Sequence, residues 1–151
     1  MDRESLYEER FRSLPEWSEA MEEDVVSIGE LLELESPEEL LEDPRVGLAD
    51  LDSMYEYEEP TELSEEEFND IFSLLLAYVS VYLIRKFDGR WVVDSERDSP
   101  SYARYLVALP AGRGESEVRI DVGEEVNAYL HELTGRSLLQ LVIRLEGKVA
   151  L

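Results

Sequence analysis

The sequence predicts a soluble, strongly acidic α+β domain, and three patterns in its 151 residues carry that prediction. In the first half, apolar residues recur every three or four positions, which is typical of amphipathic helices. A long apolar segment at residues 71–84 follows a helix-start signal and indicates a core helix. After Gly89 the segments are rich in aromatic and β-branched residues, as expected of strands.

The N-terminal residues predict acidic helices. Pro15 suits a first helical turn, so we expect the first helix of the chain to begin near it. Its apolar stripe is Trp17, Met21, Val25, Ile28 and Leu32. A second start signal has Ser36 as a possible cap and Glu39 at the capping-box position, and this short helix should end before Pro44. The segment 45–62 is irregular, with apolar spacing for about two helical turns.

The strongest local signal marks the central helix. Ser64 with Glu67 three residues later forms a capping box, and Leu63 before the cap pairs with Phe68 as a hydrophobic staple. The helix should begin at Glu65 and end near Asp88-Gly89. Apolar residues nearly encircle its middle, so it should be the most buried helix of the fold.

Three strands and one or two helices should complete the chain. Residues 90–94, 102–109 and 117–122 read as strands, and their short connections favour an antiparallel meander packed on the central helix. Val118, Ile120 and Val122 should face that helix. A further helix opens at Gly123 and closes at Thr134-Gly135. Residues 137–146 have helical spacing, but their apolar run also allows a strand.

We interpret residues 1–151 as a single domain in which an acidic helical arm, residues 1–62, packs on an α/β half, residues 63–151. The 14-residue apolar run is shorter than the roughly 20 residues that a membrane span needs. The chain has no cysteine, and its N-terminus lacks the features of an export signal. These observations predict a cytoplasmic protein.

The order of elements in residues 63–145 resembles uncharacterised small acidic proteins of actinobacteria. The likeness rests on a capped apolar helix, Asp88-Gly89-Arg90-Trp91, a polar loop with Ser99-Pro100, an aromatic strand, and Gly135-Arg136-Ser137-Leu138-Leu139. Arginine also outnumbers lysine by 12 to 2, as in proteins from GC-rich genomes. The resemblance implies this order of elements and carries no activity.

Charge is the most informative bulk property of the sequence. The net charge is −23, and residues 1–70 hold 26 acidic side chains against four arginines, a net of −22. Such a field repels phosphate backbones and anionic lipid headgroups, so we expect neither direct nucleic-acid binding nor membrane binding. It attracts a basic protein partner. The alternative is that the acidity mainly keeps the protein soluble.

Few residues suit catalysis or cofactor binding. His131 is the single histidine, it lies off the apolar face of its helix, and no cysteine exists to complete a familiar catalytic arrangement. Gly112-Arg113-Gly114 lacks the lysine or third glycine of a phosphate-binding loop. Asp94 begins an acidic loop spaced like a calcium loop, but Tyr105 stands where the bidentate Glu belongs. The acidic cluster that begins at Asp50 also lacks the residues that a calcium loop needs. We expect no cofactor and no metal.

One segment combines tyrosines with acids, which suits docking of an Arg/Lys-rich surface. The candidate partner-binding residues are Tyr55, Glu56, Tyr57, Glu58, Glu59 and Glu62. Ordinary packing of the tyrosines is the alternative. The sequence thus favours a non-enzymatic acidic binding protein, such as an adaptor, inhibitor, immunity-like or chaperone-like protein. A carboxylate-dependent hydrolase or metal-dependent enzyme is the other interpretation.

Overall fold

The structure, a computed structural model, describes residues 2–55, 60–110, 117–132 and 137–149. They form a mostly helical α+β fold, which confirms the predicted fold class. The helices are α1 (Arg3–Arg12), α2 (Leu14–Leu31), α3 (Glu39–Glu42), α4 (Leu48–Tyr55), α5 (Glu65–Phe87), α6 (Val122–Leu130) and α7 (Leu138–Val149). The strands are β1 (Arg90–Val93), β2 (Tyr105–Pro110) and β3 (Glu117–Ile120). Two 3₁₀ turns, Pro44–Gly47 and Pro60–Glu62, lie on either side of α4.

Helix α5 is the central buried element, as predicted. The hydroxyl of Ser64 accepts from the backbone N–H of Glu67 at 3.1 Å, and Glu67 Oε1 accepts from the N–H of Ser64 at 3.2 Å. The predicted capping box is therefore formed. The helix ends where Asp88 adopts a left-handed conformation, with φ 55°. Within the part of the chain that the structure describes, α5 alone is long and apolar enough to cross a membrane, and 44% of that window is buried inside this fold.

The sheet has the order β1-β2-β3 with antiparallel pairing, which confirms the predicted meander. All three strands are shorter than the sequence predicted, and the first ends at Val93. The second begins at Tyr105, because Ala103 turns the chain with φ 67° and its N–H donates to the carbonyl of Asp94. The third ends at Ile120, since Asp121 caps α6. Val122 is buried as expected, but it belongs to that helix.

Helix α2 packs along α5 and against β1 through its predicted stripe, with Met21, Val25 and Ile28 buried. The expectation that the first helix begins near Pro15 is wrong, because α1 precedes it. None of the residues of α1 is buried. Side chains hold it instead: Arg10 donates to the carbonyl of Ala103 at 2.9 Å, and the Tyr105 hydroxyl donates to the carbonyl of Arg10 at 3.0 Å.

Helix α3 begins at Glu39 rather than next to Ser36, and it has no side-chain cap. A turn precedes it, in which the N–H of Glu39 donates to the carbonyl of Ser36 at 2.9 Å. Leu40 is fully buried and anchors this short helix in the core. Helix α4 provides the two turns that the spacing of the segment 45–62 allowed.

Residues 138–149 form helix α7, which decides between the two structures allowed for residues 137–146. Asp52 of α4 supports its start, because Oδ1 of Asp52 accepts from the N–H of Leu138 at 2.8 Å. Leu138, Leu141, Val142 and Leu145 are buried. The preceding helix α6 ends at Leu130, earlier than predicted, and the predicted end at Thr134-Gly135 lies outside the described residues.

Candidate functional site

The structure describes two of the six predicted partner-binding residues. Tyr55 ends α4 and is 7% exposed within the hydrophobic core, so its ring is not a surface anchor. Glu62 is exposed in the 3₁₀ turn that leads into α5. Glu56, Tyr57, Glu58 and Glu59 lie outside the described residues. The structure therefore places one acidic side chain of this segment, Glu62, at the surface just before α5.

Next to the start of α5, two adjoining clefts are both lined by Phe68, and we call them together the Phe68 groove. The larger cleft, about 630 Å³, lies between the start of α5, the β1–β2 loop and the start of α6. Its lining residues are Phe68, Asn69, Phe72, Pro100, Arg104, Asp121, Gly123, Glu124 and Asn127. The smaller cleft, about 280 Å³, is lined by Thr61, Leu63, Ser64, Glu65, Phe68 and His131.

The floor of the Phe68 groove is aromatic. Phe68 and Phe72 lie one turn apart on α5, with ring centroids 6.4 Å apart and an interplanar angle of 17°. The ring of His131 lies 5.5 Å from that of Phe68. Phe68 and Phe72 are half-buried, so part of each ring borders the groove. Such partly exposed rings mark surfaces that can gain contact area from a ligand.

One wall of the groove holds an ion pair. Asp121 caps α6, since its Oδ1 accepts from the N–H of Glu124 at 3.1 Å. Its Oδ2 accepts from Nη1 of Arg104 at 3.0 Å. The Asp121 side chain is 16% exposed and that of Arg104 is 52% exposed. The carboxylate is therefore fixed by the helix, whereas the guanidinium reaches it from solvent.

His131 lies on the surface, as the sequence indicated, at the C-terminal cap of α6. Its Nδ1 donates to the carbonyl of Asn127 at 2.7 Å. The sequence pattern did not indicate that His131 lies beside Phe68, which was predicted only as part of the hydrophobic staple. The position of His131 off the apolar face of its helix was the signal in the sequence, since a side chain there can border a surface groove.

A third cleft, about 370 Å³, lies between the Pro44 turn and the end of α5. It concentrates three cations, and each is paired with a carboxylate. Arg45 pairs with Asp43 at 3.0 Å, Arg85 with Glu22 at 3.3 Å and Lys86 with Glu146 at 2.8 Å. Because a carboxylate lies beside each cation, this cleft presents little net positive charge to an anionic ligand.

The acidic loop at Asp94 is directed inward. Asp94 is 4% exposed, and its carboxylate accepts from Ser101 Oγ at 2.6 Å and from the N–H of Glu96 at 2.9 Å. Burial acts to raise the pKa of Asp94, but these hydrogen bonds outweigh it and the pKa is lowered. The carboxylate thus shapes the loop. In the described ranges, no three His, Cys, Asp or Glu side chains are grouped to hold a metal ion.

No protein-family model, curated protein or solved structure matches this chain. The resemblance to small acidic actinobacterial proteins therefore stays a prediction.

Proposed function

We propose that this chain is a non-enzymatic binding protein whose acidic N-terminal part recognises a basic surface on another protein. Adaptors, inhibitors, immunity proteins and export or assembly chaperones are variants of this class. The observation that carries the proposal is the net charge of −22 on residues 1–70. The lack of cysteine suits a reducing cytoplasm as the place where it acts.

The acids of α1 and α2 support the proposal because they face solvent. Seven of them are exposed: Glu4, Glu8, Glu9, Glu16, Glu19, Glu23 and Glu30. The arginines of this part are engaged with the chain itself. Arg3 donates to the carbonyl of Arg97 at 2.6 Å, and Arg10 donates to that of Ala103. A partner would meet a surface dominated by carboxylates, which steers a basic protein toward it.

The alternative is a carboxylate-dependent hydrolase or metal-dependent enzyme. Such a site would bring carboxylates together in a cleft and raise the pKa of one of them. Burial, followed by the charge of Glu23, does raise the pKa of Asp24, but Asp24 lines none of the three clefts. Asp43 does line a cleft, and its pKa is lowered by its hydrogen bond with Arg45. These observations favour binding over acid–base catalysis.

The test is capture of a partner from the native host at low and moderate salt, followed by binding kinetics with the protein recovered. Association should slow steeply with ionic strength, while dissociation changes less. Replacing Glu56, Glu58, Glu59 and Glu62 by Gln should slow association. The matched control replaces Glu16, Glu19, Glu23 and Glu30 by Gln, which removes the same charge from α2.

A larger effect of the first variant would assign recognition to residues 56–62, and equal effects would assign it to the field of the whole arm. Tyr57→Ala should speed dissociation, since an aromatic anchor contributes contact area in the formed complex. A salt-independent association rate that neither variant changes would refute the proposed function, and the acidity would then serve solubility alone.

A further inference from the structure

The floor of the Phe68 groove suits one kind of cation better than another. Phe68 and Phe72 are half-buried and line the groove, on a molecule with a net charge of −23. A planar guanidinium stacks on an aromatic face and is weakly hydrated, whereas a lysine ammonium is a compact and strongly hydrated charge. An aromatic floor in an acidic surface therefore favours arginine.

The walls of the groove carry the complementary charge. Glu65, Asp121 and Glu124 line it, and Arg104 is the one Arg or Lys among its lining residues. The fixed carboxylate of Asp121 already accepts a hydrogen bond from the guanidinium of Arg104 at 3.0 Å. An ion pair with a half-exposed arginine is weak, because solvent competes for both partners. A second guanidinium can replace Arg104 at little cost.

We infer that the Phe68 groove receives an arginine side chain of the basic partner, stacked on Phe68 or Phe72 and bound to Asp121 in place of Arg104. The inference rests on the proposed function, which supplies the partner, and adds the site and the preferred side chain. Arg104 then acts as an internal competitor for the groove.

The experiment measures binding of the intact chain to fluorescently labelled octa-arginine and octa-lysine by anisotropy, at about 20 mM and about 150 mM salt. The peptides carry equal charge, so the acidic arm alone attracts both equally. The groove adds stacking that only arginine obtains. We expect octa-arginine to bind roughly tenfold tighter than octa-lysine at the higher salt, where screening weakens the contribution of the overall field.

Two pairs of variants assign the preference to the groove. Phe68→Leu and Phe72→Leu keep an apolar side chain but remove a ring, so each should reduce the preference for arginine. Phe11→Leu is the control, because Phe11 is 57% exposed on α1 and lies outside the groove. Arg104→Gln should tighten octa-arginine binding more than Arg119→Gln, which removes the same charge from β3.

The outcomes separate the inference from the proposed function. Equal binding of the two peptides, unchanged by the Phe and Arg104 variants, would overturn the arginine site and leave the acidic binding surface standing. Absence of binding by either peptide at low salt would overturn the proposed function itself. A preference for arginine that survives in Phe68→Leu and Phe72→Leu would also overturn the inference, since it would place the stacking elsewhere.

Discussion

The hydroxyl of Tyr82 donates to Oε1 of Glu146 at 3.0 Å, and this bond joins the central helix α5 to the C-terminal helix α7. Lys86, one turn further along α5, lies 2.8 Å from the other oxygen of the same carboxylate. Tyr82 is 5% exposed. Burial, and then the hydrogen bond to Glu146, raise the pKa of Tyr82 to about 12. One carboxylate is thus held by two side chains of α5.

Tyr82→Phe should lower the free energy of unfolding at neutral pH by about 1–2 kcal/mol, because it removes a part-buried hydrogen bond to a charged acceptor. Lys86→Met is the comparison: its ion pair with Glu146 is 41% exposed on the lysine side, and its loss should cost less than about 1 kcal/mol. Urea unfolding of both variants measures the difference. A larger loss for Lys86→Met would contradict this ranking.

The same hydroxyl makes stability depend on alkaline pH. Because its pKa is raised from 10.0 to about 12, folded Tyr82 keeps its proton when the unfolded chain has lost it. This contribution is fully present below about pH 10 and is lost as the pH rises from about 10 to about 12. Tyr82→Phe should therefore show a shallower fall in the free energy of unfolding over that window. Urea melts at several pH values test it, and identical slopes would refute it.

Substitution by alanine should change stability in opposite directions at two glycines. At Gly29, in α2, an added Cβ would lie 2.5 Å from the carbonyl oxygen of Pro37, so Gly29→Ala should cost about 1–3 kcal/mol through overpacking. At Gly147, in α7, a Cβ meets nothing within 4 Å, and Gly147→Ala should stabilise by about 0.5–1 kcal/mol through helix propensity. Denaturant melts of the two variants measure both changes in the free energy of unfolding. A neutral Gly29→Ala would show that the α2–α3 connection relaxes freely.

The burial of α5 predicts a large penalty for cavity formation. Leu75 is fully buried, so Leu75→Ala should cost about 2–5 kcal/mol. Leu139→Ala makes the same chemical change at a position on α7 that is 45% exposed, and it should change stability by less than about 0.5 kcal/mol. Equilibrium unfolding in urea compares them. A loss below about half a kcal/mol for Leu75→Ala would argue against α5 as the core of the fold.

Each element that was predicted correctly depends on signals that lie only a few residues apart in the sequence. The capping box of Ser64 and Glu67 starts α5 where the pattern indicated, because both of its hydrogen bonds are local. Helix α1 was missed because its attachments span more than 90 residues, from Arg10 to Ala103 and Tyr105. Such contacts leave no periodic apolar stripe to detect.

The candidate site was harder to predict for the same reason. Tyr55 sits in an acidic, tyrosine-rich segment, yet its ring is buried because α4 packs on the rest of the core. In the Phe68 groove, Phe68, Asp121 and His131 come from three distant parts of the chain, and only the packing of α6 on α5 brings them together. Composition predicted the acidic surface but not this groove.

Mild acidification should stabilise the protein. The net charge of −22 on residues 1–70 repels itself at neutral pH, and protonation relieves that repulsion. Burial, and then Glu23, raise the pKa of Asp24, so the folded state binds this proton more readily than the unfolded chain does. Stability gained from Asp24 therefore increases as the pH falls toward its raised pKa.

The opposite effect begins at lower pH. The hydrogen bonds to Asp94 and the hydrogen bond from Arg119 to Glu117 lower the pKa values of these two carboxyl groups. Their contributions are fully present above about pH 4 and are lost as the pH falls through the lowered pKa values. The thermal midpoint should thus rise from about pH 7 to about pH 5 and then fall below about pH 4.

Asp24→Asn isolates the part of this rise that comes from one partly buried carboxyl group. It removes the charge that burial disfavours, so the variant should be more stable than the wild type at pH 7 and should gain less on acidification. Glu19→Gln removes an exposed charge of α2 that does not contribute to the raised pKa of Asp24, and it serves as the control for simple relief of repulsion. Thermal melts of the three proteins across this pH range measure both effects. A wild-type midpoint that falls steadily from pH 7 to pH 5 would show that specific carboxylate contacts outweigh self-repulsion, and the acidic arm would then have to be stabilised by its own ion pairs and hydrogen bonds.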